Sequence, residues 1–200
     1  MPEDGRTATG ALIGPNAILQ MIPVIEALGG TERVVAMMTR AGLFSVPDGR
    51  MMIPEGDAAR LHRQLRIEEP DLAPRMATEA GYRTADYILA HRIPAPARML
   101  LKCLPPGPSA RALSHAIARH AWTFAGSGRF TVLSPWSFEI ANNPIIRGEA
   151  SAGCLCDWHS GVFARLYAVL VHPDAMCREV DCGALGPGHA CRFELSVPSR

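Results

Sequence analysis

Five of the six cysteines fall between Cys154 and Cys191, with Glu179 among them. They run as Cys154-Leu-Cys156, then Cys177-Arg-Glu179-Val-Asp-Cys182, then, past a Gly/Pro-rich turn, Cys191-Arg-Phe. Thiolates and a carboxylate gathered on short elements are the donor set of a tetrahedral zinc site. In a reducing compartment such a cluster is more often metal-binding or catalytic than disulfide-bonded. The competing reading is a set of buried structural thiols, because free cysteine is among the most buried residue types. The spacing is not a CxxC pair of pairs, so it leaves both readings open. Cys182 and Cys191 stand at the two stems of a predicted hairpin, close across the ladder. Glu179 falls on the opposite face of a regular strand and joins them only through a bulge or an early turn. Cys156 opens a predicted helix, whose N-terminus favours the thiolate form. Cys154 and Cys177 are spare candidates, and Cys103, isolated in an apolar helix, is expected in the core.

A second stretch mixes polar rings, large aromatics and glycines: His120-Ala-Trp122-Thr-Phe124-Ala-Gly126-Ser-Gly128. It suits a planar apolar ligand, with an imidazole available as an axial donor to a metal such as magnesium. The plainer reading is a core helix with a satisfied histidine, and His159 beside Trp158 carries the same ambiguity. His115 and His120 lie about 140° apart on a helix and cannot form an i,i+4 metal pair. Gly126-Ser-Gly128 follows a helix and precedes a strand, the reverse of a dinucleotide fingerprint. There is no P-loop, nucleophile elbow or ferredoxin spacing. A reductase built on this chain would draw its electrons from elsewhere.

The elements that must position these residues are legible from periodicity. The 200 residues are 48% hydrophobic and 20% charged, enough for a sizeable core. A formal charge of +1 offers no basic field for nucleic acid. The N-terminus lacks a secretory pattern and no apolar run suggests a membrane span, which predicts a cytoplasmic protein with reduced thiols.

Residues 1–13 read as a mobile leader and 14–108 as a helical region. Residues 109–200 read as a small antiparallel sheet packed with helices, so the fold class is α+β. Helices are expected over residues 16–28 with a kink at Pro23, from Thr31, from Pro54, and from Pro74 to Gly81. Others are expected over 85–91 capped by Thr84, around Met99 to Leu104, over 110–124 capped by Ser109, and over 158–171. Strands are expected over 129–133, 136–140, 176–182 and 191–197.

The C-terminal pattern resembles the 4-vinyl reductase domain, a ligand-binding α+β module related in fold to vesicle-tethering and nitric-oxide-sensing domains. The matching residues are Cys156, the helix through Gly161 and Leu166, Glu179-x-x-Cys182, and Gly186 to Cys191-Arg-Phe-Glu-Leu195. The resemblance implies a structural zinc on Cys156, Glu179, Cys182 and Cys191. Cys154 does not match, and the Gly-Pro-Gly loop before Cys191 is slightly longer than the pattern. Three further segments, Gly14 to Gln20, Thr84 to Pro94 and His120 to Gly128, together with Cys156-Asp-Trp-His159, resemble the J-protein family of bacteriochlorophyll biosynthesis.

That resemblance implies an accessory carrier for protoporphyrin IX or magnesium protoporphyrin, passing it between the magnesium chelatase large subunit and the following methyltransferase. The alternative is a divinyl protochlorophyllide 8-vinyl (formerly 4-vinyl) reductase using an external reductant, and a third is a ligand-sensing domain. For a porphyrin, the candidate walls are Trp122, Phe124, Trp136 and Phe138. The candidate propionate partners are Arg98, Arg119 and Arg129, and the candidate axial donors are His120 and His159. The N-terminal helices are expected to form a homodimer interface, and any membrane association is expected through pathway partners.

Overall fold

A computed structural model describes residues 10–198 of the chain. The N-terminal half runs β1 (Leu12–Ile13), α1 (Asn16–Leu19), α2 (Ile22–Arg40), β2 (Ile53–Pro54), α3 (Glu55–Glu68), α4 (Ala73–His91) and α5 (Ala95–Cys103). There follow α6 (Pro106–Arg119), α7 (Trp122–Ala125), β3 (Arg129–Ser134), β4 (Ser137–Ala141), α8 (Asp157–Leu170), β5 (Met176–Asp181) and β6 (Cys191–Ser196). The last four strands form one antiparallel sheet in the order β3-β4-β6-β5. The architecture is α+β, helices first and then the small sheet.

β6 shows how the sheet acquires one buried face. Cys191, Phe193 and Leu195 are buried, whereas Arg192, Glu194 and Ser196 are exposed, the period of two that a half-covered strand requires. α8 lies on that face, with the Phe163 ring 5.0 Å from Phe138 and 5.2 Å from Phe193. α8 is buried on nearly all sides, because α4 covers the side turned away from the sheet.

The α4–α8 contact corrects the sequence reading. Gly81 does not end a helix, and Thr84 does not cap a new one, since α4 is continuous from Ala73 to His91. Gly81 is there for close approach. A Cβ on it would lie 2.3 Å from the Trp158 carbonyl oxygen, and one on Gly161 would lie 2.5 Å from that of Thr78. The Thr84 hydroxyl donates back to the Ala80 carbonyl at 2.8 Å and accepts from Trp158 Nε1 at 3.2 Å.

Other boundaries move for related reasons. Pro23 does not kink a helix, because it sits in the first turn of α2, where its missing N–H costs nothing. The break falls at Gly29-Gly30, where Gly30 adopts φ 70°. α6 opens at Pro106 rather than after Ser109, and the buried Ser109 hydroxyl donates to Leu170 O at 3.0 Å. Cys103 is exposed rather than in the core.

Residues 1–9 of the expected leader lie outside the described residues. Its last part is not loose: Leu12–Ile13 pairs antiparallel with Ile53–Pro54, and Ile13 is buried. One hydrophobic cluster runs from Ile13 through Leu195, so the division at residue 108 marks a change of secondary structure and not a gap in the core.

Two histidines are sealed into that core. His62 Nε2 meets the Ala17 carbonyl at 3.0 Å, and the ring packs edge-on against Trp158 with centroids 5.7 Å apart. Burial, then the nearby Arg66 charge, lowers His62 to about 3, and burial lowers His159 to about 4. Both lie below the unfolded value of about 6.5, so the unfolded chain takes up protons first as the pH falls. Their contribution to stability is complete above pH ~6.5 and is lost as the pH drops toward the folded values. Between pH 7 and 4.5 each ring is expected to cost about 2–3 kcal/mol. Urea midpoints against pH measure the loss. Imidazole carbon shifts of the folded protein should show both rings neutral at pH 6, and a protonated ring there would contradict this assignment.

Candidate metal centre and binding groove

Cys156, Glu179, Cys182 and Cys191 offer one donor atom each, and these atoms all lie within 4.8 Å of one another. Three elements deliver them. Cys156 is the residue before α8, Glu179 sits on β5, and Cys191 begins β6, with Cys182 just past the end of β5. The ladder between β5 and β6 slips between Glu179 and Asp181. That bulge lets Glu179 share a site with Cys182, which a regular strand would forbid. Glu179 Oε2 accepts a 2.7 Å hydrogen bond from the Cys156 backbone N–H. Cys156 Sγ is 3.0 Å and Cys182 Sγ is 4.0 Å from Cys191 Sγ. Sulfurs on a tetrahedral zinc with bonds of about 2.3 Å stand ~3.8 Å apart.

The cluster is electrostatically incomplete as a set of side chains. Burial, then the Cys182 sulfur, pushes the Glu179 carboxyl up to about 8. Burial and the neighbouring thiols push Cys156 well up, while hydrogen bonds with the Cys156 and Cys191 thiols pull Cys182 far down. The thiols therefore stabilise one thiolate and oppose further ionisation, and a cation relieves that conflict. Glu179 Oε1 is buried without a hydrogen-bond partner among the described residues. The donor set thus fits a closed metal site. Asn143, which the sequence reading treated only as part of a turn, donates through Nδ2 to Cys156 Sγ at 3.3 Å and Cys191 Sγ at 3.6 Å. Cys154 is exposed and Cys177 half-buried, and neither belongs to the group.

The expected porphyrin walls are not brought together. Phe138 is fully buried and Trp122 is 57% exposed. Phe124 packs against Phe130 and Phe163, with centroids 5.2 Å and 5.7 Å away. The alternation of β4 sends Phe138 into the core beneath α8, so it cannot face a ligand. His159 is buried with Nε2 against the Phe124 carbonyl at 3.2 Å. His120 is exposed at the end of α6, and Arg119 and Arg129 are exposed. Arg98 folds back onto the Leu89 carbonyl.

The glycines after Phe124 serve a different contact from the expected ligand. Glu55, 5% exposed, accepts hydrogen bonds from Ser127 N and Oγ, each at 2.8 Å, and from Arg147 at 2.7 Å. Gly126, at φ 54°, leaves room for that carboxylate, since a Cβ there would lie 2.4 Å from Glu55 Oε2.

Trp136 has a different setting. With Gly107, Pro108, Arg111, Ala112, His115 and Pro135 it lines an open groove of about 660 Å³ between α6 and the β3–β4 turn. Sequence reasoning missed Arg111 and assigned His115 no role, although their i,i+4 spacing puts both on one helical face.

Residues 136–197 match the family model of the 4-vinyl reductase domain. The chain is 50% identical over 198 residues to the "Bacteriochlorophyll synthase 23 kDa chain" of Cereibacter sphaeroides, covering 98% of this chain and 96% of that one. Among solved structures, a mutant of the Fe(II) unliganded H-NOX protein from K. algicida superposes with a TM-score of 0.61 at 13% identity, over 94% of this chain and 98% of that one. A second, from work probing heme distortion in the H-NOX family, gives 0.58 at 10% identity, over 94% and 96%. These structural likenesses are of fold.

Proposed function

The chain belongs to the bacteriochlorophyll synthase 23 kDa chain family, with a 4-vinyl reductase domain in its C-terminal part, and from that premise we propose that it is a tetrapyrrole-binding accessory protein of bacteriochlorophyll synthesis. It binds protoporphyrin IX or its magnesium complex and hands it from the magnesium chelatase large subunit to the following methyltransferase. The observation that carries the reading is the 50% identity to a relative of that name over nearly the whole chain. The fold supports it, because an H-NOX relative in shape was studied for the distortion of its heme, itself a tetrapyrrole. No helix among the described residues is long and apolar enough to cross a membrane.

The metal centre in this reading is a structural zinc. Four protein donors leave no open position for a substrate, and the centre joins the start of α8 to the β5–β6 hairpin. Its work is to hold the ligand-binding half together.

Titrating the purified protein with magnesium protoporphyrin IX should produce a saturable shift of the Soret band at near-stoichiometric ratio. An unchanged band at micromolar concentrations of both would overturn the proposal.

A further inference from the structure

The geometry points to the groove between α6 and the β3–β4 turn as the seat of a metallated tetrapyrrole, with His115 Nε2 the axial donor to its metal and Arg111 the partner of a ring carboxylate; this rests on the tetrapyrrole-binding reading above. Its volume of about 660 Å³ lies within the range of about 300–1,000 Å³ usual for small-molecule sites. It combines the three contacts such a ligand needs: an aromatic plane, a neutral nitrogen donor and a cation.

His115 is oriented for the role. Its Nδ1 meets the Arg111 carbonyl at 2.7 Å. A carbonyl only accepts, so the ring proton resides on Nδ1 and the Nε2 lone pair is free. A metal held by four pyrrole nitrogens keeps an axial position that such a nitrogen fills. His120, at the far end of the same helix, does not line the groove.

The walls are held from behind. The Tyr167 hydroxyl, on α8, donates to Pro135 O of one wall and reaches Ala110 O of the other at 3.4 Å. The Tyr167 ring backs Trp136 at 5.5 Å between centroids. Trp136 is also pinned through its own backbone, with its carbonyl accepting from Leu195 N at 2.8 Å. One buried tyrosine thus fixes the spacing of both walls, and the cleft is part of the fold.

Charge agrees with a dicarboxylic ligand. From Tyr87 to Phe138 the chain carries no Asp or Glu, while Arg92, Arg98, Lys102, Arg111, Arg119 and Arg129 all fall within it. Among the described residues Arg111 has no acidic partner, so its guanidinium is available to fork onto a carboxylate.

The test titrates wild type, His115→Ala and Arg111→Ala with magnesium protoporphyrin IX and, separately, with metal-free protoporphyrin IX, following the Soret band. Both side chains are exposed, so the variants are expected to fold, which circular dichroism checks. Wild type should prefer the magnesium pigment by about tenfold, and His115→Ala should lose that preference alone. Arg111→Ala should weaken both pigments alike, again by about tenfold. Wild-type binding that neither substitution changes would overturn the groove while leaving the tetrapyrrole reading intact. A wild type that binds neither pigment would remove both.

Discussion

Stripping zinc from the Cys156–Glu179–Cys182–Cys191 centre is expected to lower the thermal midpoint by about 8–16 °C. The size follows from linkage. A metal present at about a thousand times its dissociation constant stabilises the folded chain by about 4 kcal/mol. A domain of this length shifts by about 2–4 °C for each kcal/mol. The loss should be broad, because the centre joins the start of α8 to β5 and β6, and α8 is the helix on which both the sheet and α4 pack. Scanning calorimetry with and without a chelator measures it, and elemental analysis should return one zinc per chain. Cys182→Ser should reproduce the metal-free midpoint, while Cys154→Ser, exposed and outside the cluster, should match wild type. A Cys182→Ser protein that melts with the wild type would eliminate the centre as a structural element.

The second large effect lies where two helix backbones meet. Gly81→Ala is expected to destabilise the protein by about 3 kcal/mol or more. The added methyl would meet Trp158 O at 2.3 Å, Val162 N at 2.9 Å and Gly161 Cα at 3.0 Å. All three are backbone atoms, so no side chain can rotate away, and relief requires moving α4 off α8. Gly161→Ala meets Thr78 O at 2.5 Å and should cost a similar amount. Gly107→Ala is the control, because it is helical and nothing lies within 4 Å of its Cβ. There the gain in helix propensity should leave stability unchanged or raised by up to about 1 kcal/mol. Denaturant midpoints separate the three, and a wild-type midpoint for Gly81→Ala would mean that α4 and α8 are not in backbone contact.

The same glycine shows where sequence reasoning stops. In a helical pattern, Gly81 followed by Thr84 looks like an end and a new cap. Nothing in the neighbouring residues reveals that Gly161, 80 positions later, will lie against it. Gly126 misleads in the same way, because the carboxylate it makes room for belongs to Glu55. The aromatic walls failed for a related reason. Sequence shows that Trp122, Phe124, Trp136 and Phe138 are near one another in the chain, but strand alternation and helix docking decide which of them turn inward.

Whatever depends on near neighbours could be read directly from the order of residues. Periods of 3.6 and 2 marked the helical first half and the four-stranded second half, and the residue types marked a soft-metal donor set. Its spacing left the choice among the cysteines open, and the need for a bulge at Glu179 could be stated without showing that one exists. It took the folded chain to establish that β5 slips against β6 at that point, so that the carboxylate joins the thiols of Cys156, Cys182 and Cys191. The fold likewise placed Arg111 and His115 opposite Trp136. The reason is one of range: propensity and periodicity act over a turn or two of chain, whereas a site is made by contacts between distant segments, which only packing brings together.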